Sequence, residues 1–268
     1  MPPPVFGMGL IEAITDSTIL AHADASDLDG DGISGRPNLV TAAAYVPASE
    51  PGSGGARVGR FGRKAQVPAL LQQVVEAYHQ DMGITSPYRP NENLNPLASH
   101  PAPNHARDPE LGEGEVNDVV EYCRMLAPPE PGPWTDASRR GQALFETTRC
   151  ASCHVPALLT GAHVLRALAH RDVPLYSDLL LHDLGSALAD HRPDGSADGN
   201  EWRTAPLWGM RLVREFLGGQ MFLLHDGRAH SVEEAIVLHG GEAAAARDRF
   251  LALPAGDRQA LVDFVESR

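Results

Sequence analysis

The chain has 268 residues, with 22 Lys and Arg against 35 Asp and Glu for a formal charge of −13, and 43% of it is apolar. That length leaves room for one large or two modest domains, and the apolar share is that of a globular protein, not a disordered one. The negative charge argues against nucleic acid or an anionic membrane as partner and suits docking of a basic redox protein, donor or acceptor, while no apolar run reaches the ~18 residues a membrane span needs.

In chain order, Pro4-Val5-Phe6-Gly7-Met8-Gly9-Leu10 reads as an apolar turn entering a short helix expected to run on through His22. Next, Asp27-Leu28-Asp29-Gly30-Asp31-Gly32-Ile33 follows the Asp-x-Asp-x-Asp-Gly pattern of a calcium loop. Asp27, Asp29 and Asp31 alternate so that their carboxylates can converge on one hard cation, Gly32 permits a sharp turn, and the Ile33 carbonyl adds an oxygen. Asn38 stands where such loops carry a bidentate Glu, which weakens the expected site; an acidic turn without an ion is the alternative. Residues 47–57 read as a surface loop and residues 67–82 as an amphipathic helix carrying His79, a structural histidine or a distal ligand. The Pro/Asn/His-rich stretch 86–109 is expected to be irregular, residues 111–126 to form a helix with an acidic first turn, and the proline-rich 128–133 to be a linker and domain boundary. A helix from Asp136 to Phe145 then leads to Cys150-Ala151-Ser152-Cys153-His154.

Two cysteines separated by two residues and followed at once by histidine form the attachment signature of c-type haem. Each thiol can add across a haem vinyl group, and His154 is then delivered to the iron as proximal ligand. A zinc site would need a second ligand pair, and the remaining cysteine, Cys123, stands alone. The sixth ligand is open among His163, His170, His182, His191, His225, His230, His239, Met210 and Met221.

Two echoes run through the chain. Pro206-Leu207-Trp208-Gly209-Met210-Arg211-Leu212 repeats the spacing of residues 4–10, and residues 253–268 repeat the cap and apolar spacing of residues 111–126. Two echoes in the same order indicate a duplication. The fold expected is therefore mainly α: a cytochrome c-like domain, residues 134–268, preceded by an incomplete, duplicated cytochrome c-like unit with long irregular loops, residues 1–133. In the second unit the helix 136–145 should cross the last helix through Ala143 and Leu144 against Leu261, Val262 and Phe264. The first unit has no haem motif of its own, and residues 1–6 lack the basic and apolar parts of a signal peptide. Covalent haem is attached outside the cytoplasm, so a periplasmic or otherwise exported setting is expected, with an export signal and a further haem motif upstream of Met1.

The passages Tyr176 to Gly185, Glu201 to Gly209, Leu224-His225-Asp226-Gly227-Arg228 and Glu233 to Glu242 resemble the di-haem oxidoreductase family of peroxidase or thiol-oxidoreductase type, which is itself similar to bacterial di-haem cytochrome c peroxidases. The resemblance extends over nearly all of the chain. It implies that Glu234-Ala235-Ile236-Val237-Leu238-His239 matches the helix that supplies an axial methionine in the peroxidases, with His239 in its place as distal ligand, or else as a helix cap. A histidine there lowers the reduction potential. The resemblance further implies His225 as a residue near the haem, and Arg203 and Arg228 as partners of the propionates or, alternatively, surface ion pairs. Arg63 stands where the family has an inter-haem Trp, and Glu12 falls where an acid/base group would be, although a helix-start role suits it too. The function implied is electron transfer by the C-terminal, electron-accepting part of a di-haem oxidoreductase of peroxidase type, with peroxide reacting at the other haem. The alternatives are a non-catalytic monohaem electron carrier and, on the Asp27 loop alone, a calcium-dependent binding module.

Overall fold

The structure, a computed structural model, describes residues 4–95, 97 and 106–268; part of the expected irregular stretch 86–109 and the first three residues lie outside the description. Gly7 has φ 72, a left-handed conformation that favours glycine, and opens α1 (Met8–Ala13). The helix stops at extended Ile14, and the Thr15 hydroxyl accepts from the Thr18 N–H at 3.1 Å to start α2 (Asp16–Leu20). The single helix expected through His22 is thus two, because a threonine cap interrupts it. Helix α3 (Leu70–Glu76) continues as one wide turn to Gly83, and α4 (Glu113–Met125) carries Glu113 and Glu115 in its first turn. Thr135 and Ser138 cap α5 (Asp136–Thr147) reciprocally. Gly209, φ 80, opens α6 (Met210–Phe216), Ser231 caps α7 (Val232–Leu238), and α8 (Ala244–Leu251) and α9 (Ala255–Glu266) close the chain. Short antiparallel pairs tie the loops: β1 (Leu39–Thr41) with β2 (Ala56–Val58), β3 (Leu158–Leu159) with β4 (Asp172–Val173), and β5 (Leu181–Asp183) with β6 (Glu201–Arg203). The architecture is mostly helical.

One core gathers Met8 and Ile11 of α1, Leu70, Leu71, Val74 and Val75 of α3, and Val116, Val120 and Cys123 of α4. It also takes in Leu158, Leu175, Leu179, Leu180 and Trp208, so residues from both sides of position 133 share it. A second core joins Phe145 of α5, Val232 of α7, Phe250 of α8 and Leu261, Phe264 and Val265 of α9. Fully buried side chains such as Phe250 and Phe264 each stabilise by about 1.5–3 kcal/mol. The proline-rich 128–133 segment is fastened to the second unit: Gly132 N–H donates to the Ser267 carbonyl at 2.7 Å, and Arg211 Nε to that of Glu130 at 2.5 Å.

The sequence echoes recur in space. Helices α1 and α3 pack on α4, and α6 and α7 pack on α9. At the junction the two repeated turns interlock: a Cβ on Gly7 would lie 2.4 Å from the Trp208 ring, and one on Gly209 would lie 2.6 Å from the Phe6 ring. Helix α5 crosses α9 as expected, with Leu144 packed against the core that holds Leu261, Val262 and Phe264, but the closest approach is at Gly141 and not Ala143. A Cβ on Gly141 would lie 2.0 Å from the Ala260 carbonyl oxygen, the Phe145 and Phe264 rings meet at 5.4 Å, and Ala143 is exposed. The backbones approach so closely that only glycine fits between them.

Candidate haem site

Helix α5 ends where the Thr148 hydroxyl donates to the Leu144 carbonyl at 2.7 Å, and Arg149 then reverses the chain at φ 70. Cys150–Ser152 form one tight turn, the His154 N–H donates to the Cys150 carbonyl at 3.0 Å, and the Asp178 N–H to that of Cys153 at 3.0 Å. Both thiols are free, and burial pushes their pKa values up. His154 Nδ1 lies 2.9 Å from the Tyr176 carbonyl oxygen. A carbonyl can only accept, so Nδ1 carries the proton and Nε2 keeps its lone pair. Burial drives this imidazole's pKa down to about 4, with the positive charge His239 would carry acting in the same direction.

His239 repeats the arrangement at the end of α7. Its Nδ1 lies 2.6 Å from the Ala235 carbonyl oxygen, which again leaves Nε2 free, and burial lowers its pKa. Both rings keep some accessible surface, and each has its ligand nitrogen without a proton.

His182 is different. Its Nδ1 lies 2.7 Å from Glu242 and its Nε2 2.8 Å from Asp178. Burial opposes the charged form, but the two carboxylates outweigh it and hold the pKa up at about 12. With both nitrogens donating, His182 has no lone pair for iron and leaves the list of ligand candidates. It also lies 3.5 Å from Cys153 Sγ, and through Glu242, which accepts from Ser34 at 2.8 Å, it joins the cysteine loop to the acidic loop. His225 stacks on Trp202, with centroids 3.6 Å apart and planes at 11°, and Lys64 Nζ sits 4.4 Å from the Trp202 centroid. Arg203 donates to the carbonyls of Gly62 at 3.0 Å and Thr204 at 3.3 Å; burial and the neighbouring Arg63 charge lower its pKa to about 10. Arg228 is exposed and pairs with Asp226 at 2.5 Å, the surface alternative. His79 Nε2 is engaged with the Asn91 carbonyl at 2.9 Å. Glu12 is buried in the second half of α1, where Arg124 Nε donates to it at 2.7 Å, and the helix start it serves is that of α3, whose Leu70 N–H donates to its Oε1 at 3.3 Å.

A sequence model of the family described as "Di-haem oxidoreductase, putative peroxidase" matches residues 1–268. The chain belongs to the di-haem oxidoreductase family. No curated protein matches it. Among solved structures, hydrazine synthase of Kuenenia stuttgartiensis, pressurised with xenon, is similar at 18% identity with a TM-score of 0.41 over 100% of this chain and 90% of that one, too loose a likeness to carry an argument. The family name implies haem, and the residues of this family member fit one: two free thiols, two imidazoles with unprotonated Nε2, and half-buried Arg203, whose hydrogen bonds go to carbonyls and leave its charge for an anion.

The acidic loop of this family member converges differently from its spacing. The carboxylates whose oxygens lie within 4.8 Å of one another are Asp24, Asp27 and Asp29. Asp31 turns away to pair with Arg149, and its Oδ1 accepts from the Ile33 N–H at 2.9 Å. Asn38 is fully buried and donates to the Lys64 and Asp194 carbonyls at 2.8 and 3.0 Å. Sequence reading missed Asp24, three residues before the motif, and the two carboxylates on His182. Asp178 lay within its reach, since it stands four residues before His182. Among the described residues no helix is long and apolar enough to cross a membrane.

Proposed function

We propose that this chain carries one covalent haem c, attached through Cys150 and Cys153 with His154 and His239 as axial ligands, and that it is the electron-transferring, electron-accepting part of a di-haem oxidoreductase of peroxidase type. The observation that carries the reading is the matched pair of imidazoles, each holding its Nδ1 proton on a backbone carbonyl and offering Nε2. Such a haem supplies one-electron exchange at its iron. The chain's own part is to fix both rings and keep them neutral by burial, and Arg203 would offer its positive charge to the propionates. Two histidine ligands favour a lower potential than a histidine and methionine would, and they leave peroxide to react elsewhere. The net charge of −13 suits a basic redox partner, and a covalent haem, attached outside the cytoplasm, supports the reading of an exported setting. The weak calcium site expected from Asp27, Asp29, Asp31 and Ile33 would instead draw its carboxylates from Asp24, Asp27 and Asp29.

The test is production with a haem-attachment system. A haem band should survive denaturing electrophoresis, vanish in Cys150→Ala/Cys153→Ala, and show a low-spin spectrum. His239→Met should raise the midpoint potential; an unchanged spectrum and potential would reject His239, and no covalent band would reject the haem reading. Peroxide turnover without added haem partners would instead reject the purely electron-accepting role.

A further inference from the structure

Asp178, His182 and Glu242 form two linked charge pairs that the haem reading leaves without a task. His182 Nε2 lies 2.8 Å from Asp178 Oδ2 and its Nδ1 2.7 Å from Glu242 Oε2, and all three side chains are buried or nearly so. Each end of the run is anchored beside one of the candidate iron ligands. At the first end, the Asp178 N–H donates to the Cys153 carbonyl at 3.0 Å, one residue before His154, and His182 Nδ1 lies 3.5 Å from Cys153 Sγ. At the second, Glu242 stands three residues after His239, in the turn that follows α7. Both Glu242 oxygens are in use there: Oε1 accepts from the Asp183 N–H at 3.2 Å and the Ser34 hydroxyl at 2.8 Å, and Oε2 from the Ser34 N–H at 3.0 Å as well as from His182. The backbone is pinned too. A Cβ on Gly240 would lie 2.8 Å from the Leu184 carbonyl oxygen and one on Gly241 2.1 Å from that of Asp183, so the turn packs directly on the end of β5. The His239 ring is bonded to its own helix through the Ala235 carbonyl, so its position follows from where that helix end is held.

We infer that Asp178, His182 and Glu242 are positioning residues that act as one strut, tying the cysteine loop to the turn behind His239 and so fixing where His239 stands relative to His154. An imidazole that donates from both nitrogens of a planar ring holds its two carboxylates a set distance apart, which apolar packing in the same place would not do. The strut binds no iron. It acts through the ligand, as partners behind metal-bound side chains do, and such support is typically worth roughly 10–100-fold in affinity. The inference rests on the haem reading with His239 as ligand and adds a role for three residues outside the ligand set.

The test is ligand exchange in the full chain matured with covalent haem. Cyanide reaches the ferric iron only while His239 is off it, so its binding rate reports how often that imidazole leaves. Glu242→Ala should keep the covalent haem and bind cyanide roughly 10–100-fold faster than the wild type. Glu242→Gln, which keeps the volume but removes one acceptor oxygen, should accelerate binding by less, and it serves where Glu242→Ala does not fold. Because the strut works as a unit, His182→Gln added to Glu242→Ala should give no further increase. Arg124→Met, which loosens the first half of the chain, should leave the rate unchanged. Equal rates in the wild type and both Glu242 variants overturn the inference. So does an equal acceleration in Arg124→Met, which assigns the effect to general loosening, and so does a multiplied acceleration in the double variant, which makes the contacts independent. A missing covalent band, or an unaltered spectrum in His239→Met, is seen before cyanide is added and overturns the underlying reading together with the strut.

Discussion

The two echoed segments each end in a long helix, α4 and α9, and differ in what holds it. In the second, α9 is braced by aromatic packing: Phe264 meets Phe145 at 5.4 Å and Tyr176 at 5.7 Å. In the first, α4 is braced by charge: Arg124 binds the buried Glu12 at 2.7 Å and Glu50 at 2.9 Å, with Glu121 beside them. The same contrast holds at the histidines. His239 and His154 give their Nδ1 protons to carbonyls and keep Nε2 free, whereas His79 has Nε2 committed to the Asn91 carbonyl. The second half carries two imidazoles with free Nε2. Among the described residues, the first is arranged around an ion pair, and it lends the second its wall.

Breaking the two braces is the strongest way to test that contrast. Arg124→Met leaves Glu12 charged, its side chain 0% exposed, and should cost about 3–5 kcal/mol in urea unfolding. Phe264→Ala should cost a similar ~3–5 kcal/mol by opening a cavity. A step smaller, Gly141→Leu forces α5 off the Ala260 carbonyl and should cost about 1–3 kcal/mol, read from the same curves.

The third prediction is a pH dependence. His154 has a folded pKa of about 4, below its unfolded value, so the unfolded chain binds the proton more tightly. In protein made without haem attachment, stability should therefore fall as pH drops from about 6.5 towards 4, by about 1–2 kcal/mol after allowance for partial exposure. His154→Asn should flatten that part of the thermal melting profile. The smallest effect concerns a position the repeats share. Gly114 of α4 and Gly256 of α9 hold equivalent first-turn places with nothing near a new Cβ, so each change to Ala should stabilise by about 0.4–1 kcal/mol, and by the same amount in both.

What the sequence made legible was local or periodic. The cysteine motif, the helices at 113–125, 136–147 and 255–266 and the paired turns at Gly7 and Gly209 all declare themselves within a short window. Contacts between distant residues did not. Nothing near Asp31 announces Arg149, and nothing near His182 announces Glu242, so the reach of the acidic loop and the elimination of His182 as a ligand waited for the fold. The α5–α9 crossing was placed correctly in Leu144 and Phe264, but apolarity also drew attention to exposed Ala143 where close backbone approach selects Gly141.

The interlocked turns have a consequence for how such a molecule changes over generations. Each left-handed glycine is the seat of the other repeat's ring, Gly7 for Trp208 and Gly209 for Phe6. A larger residue at either seat displaces an aromatic residue belonging to the opposite copy, and a larger ring presses on the opposite copy's backbone. At this seam, a substitution on either side of the junction is felt by both.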